Sequence, residues 1–154
     1  MTKSEIAKVK ADKKSSFSRG MGYYLLDIDK NGIPELLVAS KNTFVINPVY
    51  IYTYKGKKVT YIGKMKLTDN EVVDFGGVYY NVETKMLWIC SSNNEDGYSI
   101  SYKYNGKSIK RCKKYHYEGD SAAEKKLEKL RKLEGKAINF YSNTAKSRKK
   151  HLTF

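Results

Sequence analysis

Residues 23–40 read YYLLDIDKNGIPELLVAS, and their pattern sets the class of fold. Two apolar runs, Tyr23-Tyr24-Leu25-Leu26 and Leu36-Leu37-Val38-Ala39, are short and bounded by turn-forming residues, the signature of strands and not of helices. Between them a polar loop carries side-chain oxygens at alternate positions, Asp27, Asp29 and Asn31, followed by Gly32, Ile33, Pro34 and Glu35. Alternate side chains on a turning loop can converge on one centre, and Gly32 allows a turn that needs positive φ. A hard cation such as Ca2+ takes about six to eight oxygens from such carboxylates, amides and main-chain carbonyls. The same residues also suit an Asx-rich turn, in which Asp and Asn bond their own backbone and no ion is involved.

The loop does not fit an EF-hand, because the bidentate Glu of that motif belongs at the twelfth loop position. Counted from Asp27, that position is Val38. The run D-x-D-x-N-G-x-x-E between two strands instead resembles the calcium loops of FG-GAP/VCBS repeats, the blade units of integrin-like propellers. With Tyr-x-Leu-x before it and Pro-Glu-Leu-Leu-Val after it, the segment is similar to a module of secreted and surface proteins of Gram-positive bacteria. The resemblance implies a structural calcium held by the side chains of Asp27, Asp29, Asn31 and Glu35 and by the carbonyl of Ile33. This chain departs from the family pattern in two places, with Asn31 where a charged Asp is usual and Glu35 where the shorter Asp is commoner.

Further along, Tyr50, Tyr52 and Tyr54 alternate with Ile51 and Thr53, and Lys55-Gly56-Lys57 turns that strand into Val59-Thr60-Tyr61-Ile62. Tyr98, Ile100, Tyr102 and Tyr104 alternate in the same way, and Asn105-Gly106 is a strong hairpin turn. The two hairpins align fifty residues apart, with Tyr52 over Tyr102 and Tyr54 over Tyr104. Upstream, Leu36-Leu37-Val38 lies over Leu87-Trp88-Ile89, and residues 79–85 fall where the polar loop was, shortened and without most of its oxygens. Self-similarity at this period marks blades or arrays. The expected fold is therefore α+β and mainly antiparallel β: two degenerate four-stranded blade-like meanders with terminal helices. Two blades cannot close a propeller, which takes about four to eight, so they must pack face to face or fuse into one sheet.

The chain of 154 residues is read as a single domain. Residues 1–20 form a basic N-terminal arm or helix, 21–65 the first meander with the metal loop, 75–117 the second, and 120–154 a helical basic tail. In that tail Leu127, Leu130 and Leu133 make a stripe at helical spacing, read as core, and Gly135 ends the helix. Fourteen tyrosines against five phenylalanines suit strands with one wet face, where the ring packs and the hydroxyl stays solvated. Cys90 and Cys112 fall in strands separated by one other. Neighbouring strands lie about 4.8 Å apart, so the pair is beyond disulfide reach and is read as two free, partly buried thiols.

The net charge of +14 is uneven: +4 over residues 1–20, −1 over 21–99 and +11 over 100–154. Lys110, Arg111, Lys113 and Lys114, with Arg148, Lys149 and Lys150, form the expected polyanion-binding set, with tyrosines interleaved for stacking. Charge of this kind implies non-specific association and not a specific function. His116 and His151 have no neighbouring nucleophile, and no P-loop, GxSxG or GxGxxG is present, so no catalytic residues are assigned and the expected role is not enzymatic. No run is long and apolar enough for a membrane span, and residues 1–17 lack the apolar core of a signal peptide. The resemblance implies an extracellular or cell-surface binding module, its leader removed, engaging a cell-envelope polymer, glycan or protein. The sequence by itself points to the alternative, a cytoplasmic nucleic-acid-binding protein that uses the basic C-terminal region.

Overall fold

The computed structural model describes residues 21–41, 46–67, 75–92, 96–118 and 121–151. The expected N-terminal arm, residues 1–20, lies outside them. Strands β1 (Met21–Leu26), β2 (Glu35–Lys41), β3 (Ile46–Lys55) and β4 (Lys58–Met65) are consecutive and antiparallel, as are β5 (Phe75–Asn81), β6 (Met86–Ser92), β7 (Asp96–Tyr104) and β8 (Ile109–Glu118). Helix α1 (Ser121–Glu134) follows, then the two-residue strands β9 (Lys136–Ala137) and β10 (Tyr141–Ser142), and helix α2 (Ala145–His151). Two five-stranded sheets result, in the orders β10-β1-β2-β3-β4 and β8-β7-β6-β5-β9. Among the described residues the architecture is mostly antiparallel β with two helices.

The pleat explains which residues are buried. Leu37 pairs with Ile51 and Ala39 with Val49, and all four are fully buried. In the second sheet Val78 pairs with Ile89, Ile89 with Ile100, and Leu87 with both Tyr80 and Tyr102. These residues of both sheets, with Ile28, Met65, Leu67 and Ile138, belong to one apolar cluster, so the sheets pack face to face. Pro48, which cannot donate to a ladder, sits where the β2–β3 register slips between the Ala39–Val49 and Lys41–Ile46 pairs, the position a strand proline tolerates.

Three sequence expectations are corrected here. The first is the facing of the repeat. Tyr102 lies in the core, whereas Tyr52, between the inward-facing Ile51 and Thr53, packs on Tyr61 on the other side of its sheet. The turns fall at the fifty-residue offset but differ in length, since Lys55 pairs with Lys58 across two residues and Tyr104 with Ile109 across four, and the side chains beside them alternate to opposite faces, because a one-residue slip inverts a strand. The second concerns the tyrosines. Tyr80, Tyr102 and Tyr104 are core residues and not a wet face. The Tyr80 hydroxyl donates to the Ile28 carbonyl at 2.9 Å and that of Tyr102 to the Lys66 carbonyl at 2.8 Å, so burial leaves neither polar end unpaired.

The third is the tail, which is not helical throughout. After Gly135 the chain extends, and β9 joins the free edge of β5 while β10 joins that of β1. Hydrogen bonds from Ile138 N to Val78 O (2.8 Å) and from Asn143 N to Met21 O (2.9 Å) continue the two ladders. One short segment thus covers an open edge on each sheet, which would otherwise present unpaired amides and carbonyls. Of the leucine stripe, Leu130 is buried but Leu133 is exposed, and the side chain of Leu127 lies outside the described residues.

The helix is anchored largely by polar contacts. The carboxylate of Glu134, a buried residue, accepts hydrogen bonds from the Ser99 hydroxyl (2.5 Å) and the Cys90 thiol (3.2 Å). Asn81 Nδ2 donates to the Leu133 carbonyl at 2.9 Å, while its Oδ1 receives the amides of Glu83 and Thr84. A single side chain thereby caps the end of α1 and shapes the β5–β6 turn. Both cysteines are free, as the intervening strand β7 requires, although Cys112 is exposed and not partly buried. Burial, and then the Glu134 carboxylate, push the Cys90 thiol far above its ordinary range, which makes it unreactive.

Candidate metal centre

The loop between β1 and β2 is built by its own hydrogen bonds. Asp27 takes the amide of Asn31 on Oδ1 (3.0 Å) and that of Gly32 on Oδ2 (2.9 Å). Asn31 Oδ1 accepts from Ile33 N at 2.7 Å, and its Nδ2 donates to Asp29 Oδ2 at 3.0 Å. The chain turns sharply enough that Lys30 and Gly32 both take positive φ, 65° and 85°, and glycine bears this without a Cβ penalty. The Asx-turn reading of the sequence therefore describes real bonds. It does not account for every oxygen.

Asp27, Asp29 and Glu35 each place a carboxylate oxygen within 4.8 Å of the other two. Among the described residues they are the one group of three acid, histidine or cysteine side chains so gathered. At such separations two carboxylates repel by on the order of 1–3 kcal/mol, depending on how well water screens them. Asp29 Oδ1 is buried and has no hydrogen-bond partner, a state that costs a carboxylate oxygen the bonds it had in water. The arrangement can hold a metal ion: three hard anionic donors face one another, and one of them has an oxygen with nothing else to bond.

Glu35 anchors the site to the interior. It is fully buried; Oε2 accepts from Ile28 N at 3.1 Å and Oε1 from the Thr53 hydroxyl at 3.2 Å. Burial pushes its carboxyl above the ordinary value of 4.5, and the charge of Asp29 pushes in the same direction against the lowering effect of those two bonds. The second sheet supports the loop from outside, through Tyr80 on the Ile28 carbonyl and through Lys85 Nζ, which donates to the Asp29 carbonyl at 2.9 Å. Burial, and then the negative field of Asp27, Asp29 and Glu35, push the Tyr80 hydroxyl up.

The raised Glu35 carboxyl has a measurable consequence. In metal-free protein the folded state holds its proton over a pH range where the unfolded chain has lost it. Stability from this group is therefore complete below about pH 4.5, the unfolded value, and falls as pH rises through the folded pKa. In EDTA, urea titrations of wild type should show that decline, and Glu35→Gln should remove it. A bound cation requires ionised Glu35, so the gain in midpoint from added Ca2+ should shrink toward acid pH.

Of the expected ligands, the structure brings Asp27, Asp29 and Glu35 together. Asn31 lies in the same loop with its Oδ1 on the Ile33 amide, an oxygen that keeps a second lone pair. The Ile33 side chain is exposed. The basic residues fall on separate elements. Lys110, Arg111, Lys113 and Lys114 are exposed on β8, an edge strand of the second sheet. Arg148, Lys149 and Lys150 lie on α2, beside β1 and β10, where Ser147 bonds Tyr23 and His151 stacks on Tyr141. Arg148 is engaged with Asn143 through Nη1, at 2.6 Å from the side-chain oxygen. His116 stacks on Tyr98 and stands 4.0 Å from Glu118, with no nucleophile in that arrangement.

Lys85 and Tyr80, fifty or so residues from the loop, carry no local sequence pattern that would single them out, since they reach the loop only because the sheets face each other. Comparison of the chain with family models, with characterised proteins and with solved structures finds no match. No helix among the described residues is long and apolar enough to cross a membrane.

Proposed function

We propose that this chain is a non-catalytic binding module whose first sheet is pinned by a structural calcium ion. The observation that carries the reading is the convergence of Asp27, Asp29 and Glu35 within 4.8 Å, with Asp29 Oδ1 buried and unpartnered. Calcium is favoured over magnesium because the donors the resemblance implies are carboxylates, the Asn31 amide and the Ile33 carbonyl on an irregular loop. Magnesium demands a tight octahedral shell and dehydrates reluctantly. The ion's part is mechanical: it cancels the repulsion among the acids and ties the β1–β2 connection to Thr53 and, through the Ile28 and Asp29 carbonyls, to the second sheet.

The resemblance of the loop to FG-GAP/VCBS repeats supports placing the chain among secreted or cell-surface modules, its two sets of four consecutive strands being degenerate blades. The partner in that setting is a cell-envelope polymer, a glycan or another protein. Terbium provides a direct test of the ion site. Excitation of tyrosine should sensitise bound Tb3+, given Tyr80 and Tyr104 beside the acids, and Ca2+ should displace it while Mg2+ does so poorly. Asp29→Asn should abolish the signal. Sensitised emission that survives Asp29→Asn and Asp27→Asn together would place the ion elsewhere and remove the basis of this reading.

A further inference from the structure

The first sheet carries a cavity that the calcium loop does not use. It measures about 180 Å³ and is lined by Tyr23, Tyr24 and Leu25 of β1, Tyr141 of β10 and His151 of α2. Its walls meet because β10 pairs with β1, which sets Tyr141 directly across from Tyr23. Ser147 and His151, one helical turn apart on α2, both rest on that pair. Ser147 Oγ lies 3.1 Å from the Tyr23 hydroxyl, and the His151 ring stacks on Tyr141 with centroids 3.9 Å apart and planes at 11°. On Tyr24 the ring lies within 15° of parallel with Tyr141, centroids 5.8 Å apart. Three rings of the cavity therefore face nearly the same way.

Most polar atoms of these rings are unused. Of the polar side chains in the lining, only Tyr23 has a hydrogen-bond partner among the described residues. The hydroxyls of Tyr24 and Tyr141 and the imidazole nitrogens of His151 have none there. No lining residue is acidic, and the helix that closes the cavity is basic, with Arg148, Lys149 and Lys150 running up to His151. Residues three and four apart share a helix face, so Lys150 lies beside the Ser147–His151 side that meets the sheet, and Lys149 is turned away from it. Arg148 is committed to Asn143. The exposed cation left at the rim is Lys150.

We propose that this cavity binds a single flat ring bearing an anionic group, the chemistry of a pyrimidine mononucleotide. Size limits the ligand to one ring, since pockets for drug-sized molecules measure about 300–1,000 Å³. The near-parallel rings of Tyr24, Tyr141 and His151 favour a planar partner, which can offer its own π-face to theirs. Their free hydroxyls and nitrogens lie in the ring planes, at the edges. A heteroaromatic base carries donors and acceptors along its edge to meet them, and a hydrocarbon ring carries none. Lys150 supplies the charge for a phosphate, and no carboxylate in the lining opposes it. The cavity shares no residue with the calcium loop, so the two sites stand or fall separately.

The chain has two histidines, His151 and His116 on β8, and the second serves as an internal control. Uridine monophosphate is titrated into the full chain in EDTA, so that no cation bridges protein and phosphate, and the imidazole protons are followed by NMR. The His151 resonances should shift and saturate while those of His116 stay in place. Tyr141→Ala and His151→Ala should each weaken binding about tenfold or more, the loss of one stacking platform. His151→Ala, read from the tyrosine resonances, leaves every strand untouched and keeps the outcome decisive if melting curves show Tyr141→Ala unfolded. Lys150→Gln should weaken the nucleotide about threefold and leave uridine unaffected, and Lys149→Gln should change neither. Ribose phosphate, which has the anion without the base, should bind about tenfold more weakly than the nucleotide. Equal shifts at both histidines would reduce the effect to net charge and overturn the proposal. So would binding undiminished in His151→Ala, ribose phosphate as tight as the nucleotide, or uridine as tight as the nucleotide.

Discussion

Millimolar Ca2+ should raise the melting midpoint of this protein relative to EDTA, and Asp27→Ala or Asp29→Ala should abolish the rise. An ion that binds the folded loop and not the unfolded chain stabilises by RT ln(1 + [L]/Kd), about 2.7 kcal/mol at a hundredfold excess over Kd. With one ligand a neutral amide, the affinity belongs with the weaker extracellular calcium modules, on the order of 10⁻⁴–10⁻³ M. The same substitutions have the opposite sign without metal. Removing one of three mutually repelling carboxylates relieves the other two, so in EDTA Asp29→Ala should melt no lower than wild type, and its buried, unpartnered Oδ1 disappears with it. Asp27→Ala should do less well in EDTA, because the amides of Asn31 and Gly32 lose their acceptor. A wild-type midpoint that ignores calcium would leave the loop as an Asx turn. A response undiminished in both variants would put the ion outside it.

Gly135→Ala should be among the most damaging single changes in the chain. Gly135 closes α1 with φ of +83° and donates its amide to the Arg131 carbonyl at 3.3 Å, a left-handed helix end. An L-residue there costs roughly 1–2 kcal/mol in conformation alone. A Cβ would also run into the Tyr80 carbonyl oxygen and stand 2.6 Å from Asn81 Cα, both backbone atoms of β5 that no rotamer change can move. Forcing them apart adds about 1–3 kcal/mol. The combined loss, about 2–5 kcal/mol, falls where Asn81 caps the helix and where Tyr80 supports the metal loop. Urea unfolding should show the lowered stability, and calcium affinity should drop with it. A variant as stable as wild type would mean that α1 can shift away from β5 without loss.

The local pattern of this sequence is enough to place strands, hairpins and the candidate ligands. Short apolar runs between turn residues mark β1, β2, β6 and β7, because a strand's alternation and its bounding turns lie within a few residues of one another. The Asp-x-Asp-x-Asn-Gly run and Glu35 are likewise a local arrangement, and their spacing alone brings three acids into reach. Gly135 as the stop of α1 and the separation of Cys90 from Cys112 are legible for the same reason. Facing is not. Tyr52 and Tyr102 sit beside turns fifty residues apart, yet only Tyr102 is inward, because the opposite sheet decides which face of a strand is buried. The tyrosines expected to meet water fill the core in the second sheet, since the Ile28 and Lys66 carbonyls lie where their hydroxyls end. Residues 136–142 carry no strand pattern of their own; they are extended because the open edges of β5 and β1 need partners. Lys85 at the metal loop and Glu134 beneath Cys90 and Ser99 are long-range contacts of the same kind. Sequence determines what each segment can present, and only the packing of the two sheets decides what it is presented to.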